Sequence, residues 1–276
     1  MTDLVLFEVV DGVGVITLNR PERLNALDDA MHHALDAVFV RAFQSNEARV
    51  IVLTGAGRGF CAGADISRLE RLSAQGGAGF DIPRPGTVGE AFVGIDAPAD
   101  YLNTYTFPLA LKKPVIAAIN GPCVGAGLVL AASCDIRFAS RSAMFAAAFA
   151  QRGVVAEFGL AWMLPRLVGA NAAADLLFSG RRLESDEAAR LGLVGRVEED
   201  DALLDTVMAY ARHIASTASP RSIAIIKQQL LAASGQTFGE ASAEAYDLLI
   251  ESLSSEDFVE ATLSYKERRS AQFTGR

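Results

Sequence analysis

Apolar residues along the chain fall into two rhythms, one of period two and one of helical period. Residues 4–10 and 13–19 alternate or run apolar around Asp11-Gly12, which predicts a β-hairpin. Residues 27–45 place Met31, Leu35, Val38 and Phe39 at helical spacing, with Asp28 able to cap the start. The run 50–54 is β-branched and apolar throughout and reads as a buried strand. A glycine-rich loop, 55–63, follows it. Ala64-Asp65-Ile66 then opens a helix to about Arg71, with Asp65 as its cap. Between Lys113 and Asp135 there is no charge, and the run is long enough for a membrane span. Asn120-Gly121-Pro122, with Gly125 and Gly127 behind it, breaks that reading. The run predicts a buried strand at 115–119, a tight turn, and an apolar helix from about Gly125 to Ser133.

Elsewhere the pattern predicts a helix at 100–111, strands at 136–139 and 143–147, and a helix at 158–167 holding the one tryptophan, Trp162. Short helices follow at 171–179 and 185–191, the latter with Ser185 as cap, and then a strand at 193–197. From 202 onward every segment reads helical: 202–216, 220–233, 241–253 and 255–270. The organisation is thus an α/β core over 1–200 and a C-terminal helical region over 201–276. Residues 73–98 break the pattern, being dense in glycine and proline. Such a long loop reads as a lid or pocket wall, or equally as a disordered surface insertion.

The two strand–glycine loop–helix units repeat one plan. In each, the first N–H groups of the helix lack an intrahelical partner and lie at the positive end of its dipole. Two such ends suit an anion, or charge that develops on an oxygen during a reaction.

Composition narrows the chemistry. The chain has 276 residues, 51% of them hydrophobic, enough for one large core with an appendage. Its net charge of −8 is opposite to that of a typical nucleic-acid binder. An anionic ligand needs local basic residues, and Arg20, Arg23, Arg58, Arg68 and Arg71 lie near the first glycine loop. The N-terminus has no basic region before an apolar run, so no signal peptide is expected. Cys61, Cys123 and Cys134 fall in apolar stretches without a CxxC pair, which points to buried thiols in a reducing cytoplasm.

Several site classes fail. Gly125-x-Gly127 has Leu130 where a dinucleotide fingerprint needs its third glycine, and Gly55-x-Gly57 has Phe60. No glycine loop ends in Lys-Ser or Lys-Thr. His32, His33 and His213 form no metal cluster and read as surface residues. With three histidines in the chain, a Ser-His-Asp triad is not expected. The acidic clusters Asp28-Asp29 and 198–201 read as solvated helix starts.

Taken together, Asn19-Arg20-Pro21…Leu24-Asn25-Ala26-Leu27, the block 55–66, the block 114–135 and Pro165-Arg166-Leu167-Val168-Gly169 resemble the enoyl-CoA hydratase/isomerase, or crotonase, superfamily. The C-terminal stretch from Tyr265 to Phe273 is similar too. Nearly the whole chain is covered, with 73–98 the least family-like part. The resemblance implies an α/β crotonase-like superhelix of repeated ββα units and a C-terminal helical trimerisation region. It implies a homotrimer or hexamer acting on an acyl-coenzyme A thioester. Coenzyme A is then part of the substrate, with no separate cofactor, metal, nucleic acid or membrane partner. It also implies an oxyanion hole made by the backbone N–H groups of Ala64 and Ala126. Contacts to the coenzyme A and acyl moieties are implied for Arg23, Ala26, Ala62, Asp65, Ile66, Gly125, Phe149 and Tyr265.

Family hydratases add water with two glutamates, and the matching positions here are Val129 and Phe149. Neither can activate water. Glu157 occupies the place of the acid in several isomerases of the family, and is the expected catalytic residue. Val155, Phe158 and Phe149 would desolvate it and raise its pKa. The competing reading makes Glu157 a cap of the helix expected from Phe158. Proton shuttling by one carboxylate favours an enoyl-CoA isomerase. The alternatives are a hydratase acting on 2-enoyl-CoA, and a non-catalytic, RNA- or ligand-binding relative.

Overall fold

The structure, a computed structural model, describes residues 3–78, 80, 82, 84 and 86–276. Asp11 and Gly12 both take left-handed backbone angles, φ 52° and 77°. That is the requirement of a tight hairpin turn, and it joins β1 (Val5–Val10) to β2 (Val13–Leu18). Helix α1 (Asp29–Gln44) follows, capped by Asp28, whose carboxylate accepts from Met31 N at 2.9 Å. Every residue of β3 (Val50–Gly55) is buried, as expected for a strand covered on both faces. Then come α2 (Ile66–Ala74), the single turn α3 (Phe107–Ala110), β4 (Val115–Ile119), β5 (Cys123–Val124) and α4 (Ala126–Ala132).

The second half continues with β6 (Ile136–Ser140), β7 (Met144–Ala146), α5 (Leu160–Val168), α6 (Ala170–Ser179), β8 (Leu183–Glu184), α7 (Ser185–Leu191) and β9 (Arg196–Glu198). Four helices end the chain: α8 (Leu203–Thr217), α9 (Pro220–Ala232), α10 (Phe238–Leu253) and α11 (Glu256–Glu267).

The main sheet has the order β1-β2-β3-β4-β6-β9, parallel except for the first hairpin. A second sheet, β5-β7-β8, runs beside it, and Cys61 joins its edge by a bridge to Cys123. The chain therefore repeats strand, second strand, helix, each copy stacked on the last. The larger apolar cluster lies between the sheets, α1 and α4. The smaller one lies on the opposite face of the main sheet, where Val207 and Ala211 of α8 meet Val15, Val52 and Ile116. The helix after residue 200 is thus a layer of the core. The helices with no buried apolar face begin at α9.

Three expected elements differ. The helix expected at 100–111 is a 3-10 turn at Ala99–Tyr101 and the single turn α3. Asn103 accepts from Tyr105 N at 3.1 Å and Thr106 N at 3.3 Å, a local turn that competes with helix. Helix α5 starts at Leu160 rather than Phe158, because Phe158 and Gly159 are left-handed, φ 48° and 78°. Ser185 does not cap α7; it is buried and its hydroxyl donates to Arg141 O at 2.8 Å.

Candidate functional site

The first glycine loop is stapled from two sides. The buried Asn25 amide donates to Ala56 O at 3.0 Å and Gly59 O at 2.7 Å, and its oxygen accepts from Arg20 N. Asn120 donates to Gly55 O at 2.7 Å and Gly57 O at 2.9 Å. Beyond the loop, residues 61–65 run extended between two neighbours. Cys61 N donates to Pro122 O and Val124 N to Cys61 O; Leu27 N donates to Gly63 O and Asp65 N to Leu27 O. In that parallel pattern the ladder to Leu27 uses Gly63 and Asp65, so the Ala64 N–H points away from it.

Gly63, next to Ala64, packs against the start of α4. A Cβ on Gly63 would lie 2.7 Å from Val124 O and 3.5 Å from Ala126 N, so the two loops meet closely only because residue 63 is glycine. Ala126 is the first residue of α4, behind Gly125 at φ 53°. Among the described residues neither the Ala64 nor the Ala126 N–H has a hydrogen-bond acceptor. Two free donors thus open on one narrow cavity of about 40 Å³, lined also by Ala62, Gly125, Phe149 and Glu157. A larger chamber of about 580 Å³ shares Ala64, Leu69, Arg152, Val154 and Glu157 with it. Its far walls are Leu72, Phe80, Ile82, Tyr105 and Phe158.

Glu157 is the one carboxylate lining either cavity among the described residues. It is half-buried, and desolvation holds its pKa above the ordinary value, partly opposed by the Arg68 guanidinium. No side chain among the described residues hydrogen-bonds its carboxylate. It does not cap a helix: α5 has Gly159 at its N-cap and no side-chain cap. Val155 is 79% exposed and forms no part of the wall; Val154 does. Val129 is fully buried and Phe149 is 5% exposed, both apolar as expected.

Ala62, Gly125 and Phe149 join Ala64, Ala126 and Glu157 at the site. Arg23, Ala26, Asp65, Ile66 and Tyr265 line neither cavity. The Asp65 carboxylate is consumed by Ser67, which it caps at 2.9 Å, and by Arg20 at 2.7 Å. Ile66 and Tyr265 are exposed, at 69% and 88%. Of the local arginines, Arg20 is held by Asp28 and Asp65, and Arg68 and Arg71 by Asp29. The pair Asp28-Asp29 is therefore engaged rather than solvated. Arg23 and Arg58 are exposed, without an acidic partner among the described residues. Glu90 and Asp96, the acidic residues of the 73–98 stretch that the structure describes, line neither cavity: both are exposed, and Asp96 pairs with Lys112 at 2.7 Å. Asp81 lies outside the described residues.

His32 is buried, not superficial. Its Nδ1–H donates to Asp28 O at 2.8 Å, which leaves Nε2 to accept from the Tyr105 hydroxyl. Burial lifts the Tyr105 phenol far above its ordinary range. The three thiols are buried and free, and burial pushes Cys61 and Cys134 up to about 12, so none is a ready nucleophile. The stretch 73–98 supplies a pocket wall through Phe80 and Ile82, and Phe92 anchors it in the core against Phe107 at 4.6 Å. Tyr105 and Arg152 at the site were not foreseen, whereas Arg68 was among the basic residues expected near the first glycine loop. Leu69 and Leu72, three apart on the helix behind the donor loop, were a usable sign of an apolar face there; Tyr105 lay in a misread helix.

A sequence model described as enoyl-CoA hydratase/isomerase matches residues 8–83 and 95–276. The chain is 36% identical over 279 residues to 1,2-epoxyphenylacetyl-CoA isomerase of Escherichia coli (strain K12), covering all of both chains. It is 34% identical over 266 residues to short-chain-enoyl-CoA hydratase of Clostridium acetobutylicum, covering 96% of this chain and 95% of that one. The crystal structure of an enoyl-CoA hydratase from Bacillus anthracis superposes with a TM-score of 0.83 at 26% identity, covering 99% of this chain and all of that one.

Proposed function

This chain belongs to the enoyl-CoA hydratase/isomerase family, an enzyme of the crotonase superfamily and fold, and from that premise we propose that it shifts the double bond of an enoyl-CoA thioester, with Glu157 as the single proton carrier. The carrying observation is that Glu157 alone among the described residues brings a carboxylate to the cavity of the two free N–H groups. The carboxylate takes a proton from the carbon beside the thioester carbonyl. The electron pair moves onto the thioester oxygen, where Ala64 and Ala126 N–H donate to it. The protonated Glu157 then returns the proton two carbons away, and the double bond is left displaced. Water addition by two glutamates has no basis here, since Val129 and Phe149 hold those places.

The 580 Å³ chamber, walled by Leu69, Leu72 and Phe80, takes the acyl group in this reading. Arg23 and Arg58, exposed and without an acidic partner among the described residues, would meet the coenzyme A phosphates. The curated relatives divide between an isomerase and hydratases, and those hydratase names favour hydration as the second reading. A panel of 2-enoyl and 3-enoyl thioesters incubated in deuterated water, read by mass spectrometry, separates the two. Isomerisation exchanges deuterium without adding the mass of water; a product heavier by one water makes the enzyme a hydratase. Buried free thiols support a reducing, cytoplasmic setting.

A further inference from the structure

The segment carrying Glu157 has almost no backbone ties. Val154 N donates to Phe149 O, and the next backbone donor is Leu160 N, which bonds Glu157 O at 2.9 Å and closes a turn over Phe158 and Gly159. Among the described residues, the five N–H groups from Val155 to Gly159 have no acceptor. Gly153 and Gly159, at φ 70° and 78°, have nothing within 4 Å of where a Cβ would stand. The Glu157 carboxylate has no hydrogen-bonding partner among the described residues to aim it. Yet the residue beside it, Phe158, holds φ 48°, a conformation that is a genuine outlier for a bulky side chain. Such strain persists only where the surroundings impose it. Besides that turn, an aromatic stack holds it: the Phe158 ring lies on Tyr105, centroids 4.1 Å apart at 28°, and is near-parallel to Phe80 at 6.5 Å and 14°. Tyr105 is in turn fixed, 2% exposed, by its hydroxyl bond to buried His32.

We propose that Phe158 is the positioning residue for Glu157: its ring, clamped on Tyr105, pins the left-handed backbone and so holds the carboxylate at the mouth of the two N–H donors. The inference rests on Glu157 being the base. A base displaced by about 1 Å can lose 10²-fold in rate without losing its substrate.

The test uses the full-length enzyme and a 3-enoyl thioester that it turns over. Phe158→Leu and Phe158→Gly should lower kcat about 10–100-fold with KM little changed. Glycine takes the left-handed backbone freely but brings no ring. Phe158→Tyr keeps an aromatic ring on Tyr105 and should retain more of kcat than Phe158→Leu or Phe158→Gly. Thermal melts confirm that each variant folds; Phe158 is half-buried, which makes folded variants attainable. Parental kcat in a folded Phe158→Gly enzyme overturns the proposal. So does a loss confined to long acyl groups, which makes Phe158 a pocket wall only. Glu157→Gln run alongside separates the two levels. If it keeps parental turnover, the base assignment itself fails; if it is inactive while Phe158→Leu is unaffected, only the positioning role fails.

Discussion

At the residue scale, the proposed reaction turns on one carboxylate without a hydrogen bond and two amides without an acceptor among the described residues. Glu157→Gln keeps the shape and removes the proton carrier, and should cost about 10²–10⁴ in turnover while thioester binding persists. Burial raises the Glu157 pKa above the ordinary 4.5. The working base is the ionised form, so kcat/KM should rise with pH along an acid limb centred above that value. A limb at or below it, measured on the active substrate, points to another base. The same shift sets the stability effect. A carboxyl whose folded pKa is raised favours the folded state at low pH, and that contribution is lost as pH rises through the folded pKa. Glu157→Gln should therefore melt no lower than the parent at pH 8, with no helix cap to lose. A lower melting temperature there contradicts the half-buried, uncapping placement. Ala126→Gly keeps its N–H and should be nearly silent. Ala126→Pro sits at the first helical position, where proline fits best, yet deletes the donor and should cost about 10²–10³ in rate.

At the scale of elements, the site is made where the strip 61–65 meets the start of α4. Its closeness depends on Gly63, at φ 91° and with Val124 O 2.7 Å from a Cβ. Gly63→Ala should separate the two donors and strain the backbone, lowering both kcat and the melting temperature, whereas Gly76→Ala, with φ 59° but nothing near its Cβ, should spare kcat. Equal kcat for the two would mean the loop contact does not set the donor geometry. The periodicity read most elements to within a residue or two, because long buried runs such as β3 and the face of α1 admit one solution. It failed at 100–111, where the Asn103 turn outcompeted a helix, and at 158–159, where two left-handed residues delay α5. Both failures border the Glu157 segment.

At the scale of the molecule, α9 to α11 expose an apolar surface that a lone chain leaves wet. Leu230, Phe238, Val259 and Tyr265 are 74%, 89%, 61% and 88% exposed. Patches of that kind mark association surfaces. Light scattering at micromolar concentration should return three or six chain masses of 29.2 kDa. A single mass would refute assembly through these helices.

Local order carried much of this protein in its linear text. Asn25, the two glycine loops, the apolar run before Asp135 and the absence of glutamate at 129 and 149 are written in consecutive residues. They are enough to set the fold and to mark where the proposed donors and carboxylate lie. The structure alone decided what depends on distant partners. His32 looked superficial on its helix until Tyr105, 73 residues away, closed over it. Arg20 and Arg68 looked available for anions until Asp65 and Asp29 took them. Val155 looked like a wall and is exposed, while Phe158 earns its place by stacking on a ring from another element. A sequence pattern reports which face a residue is suited to; only packing across the chain determines which neighbour meets it there, and so which charges remain free and which carboxylate is held without a partner.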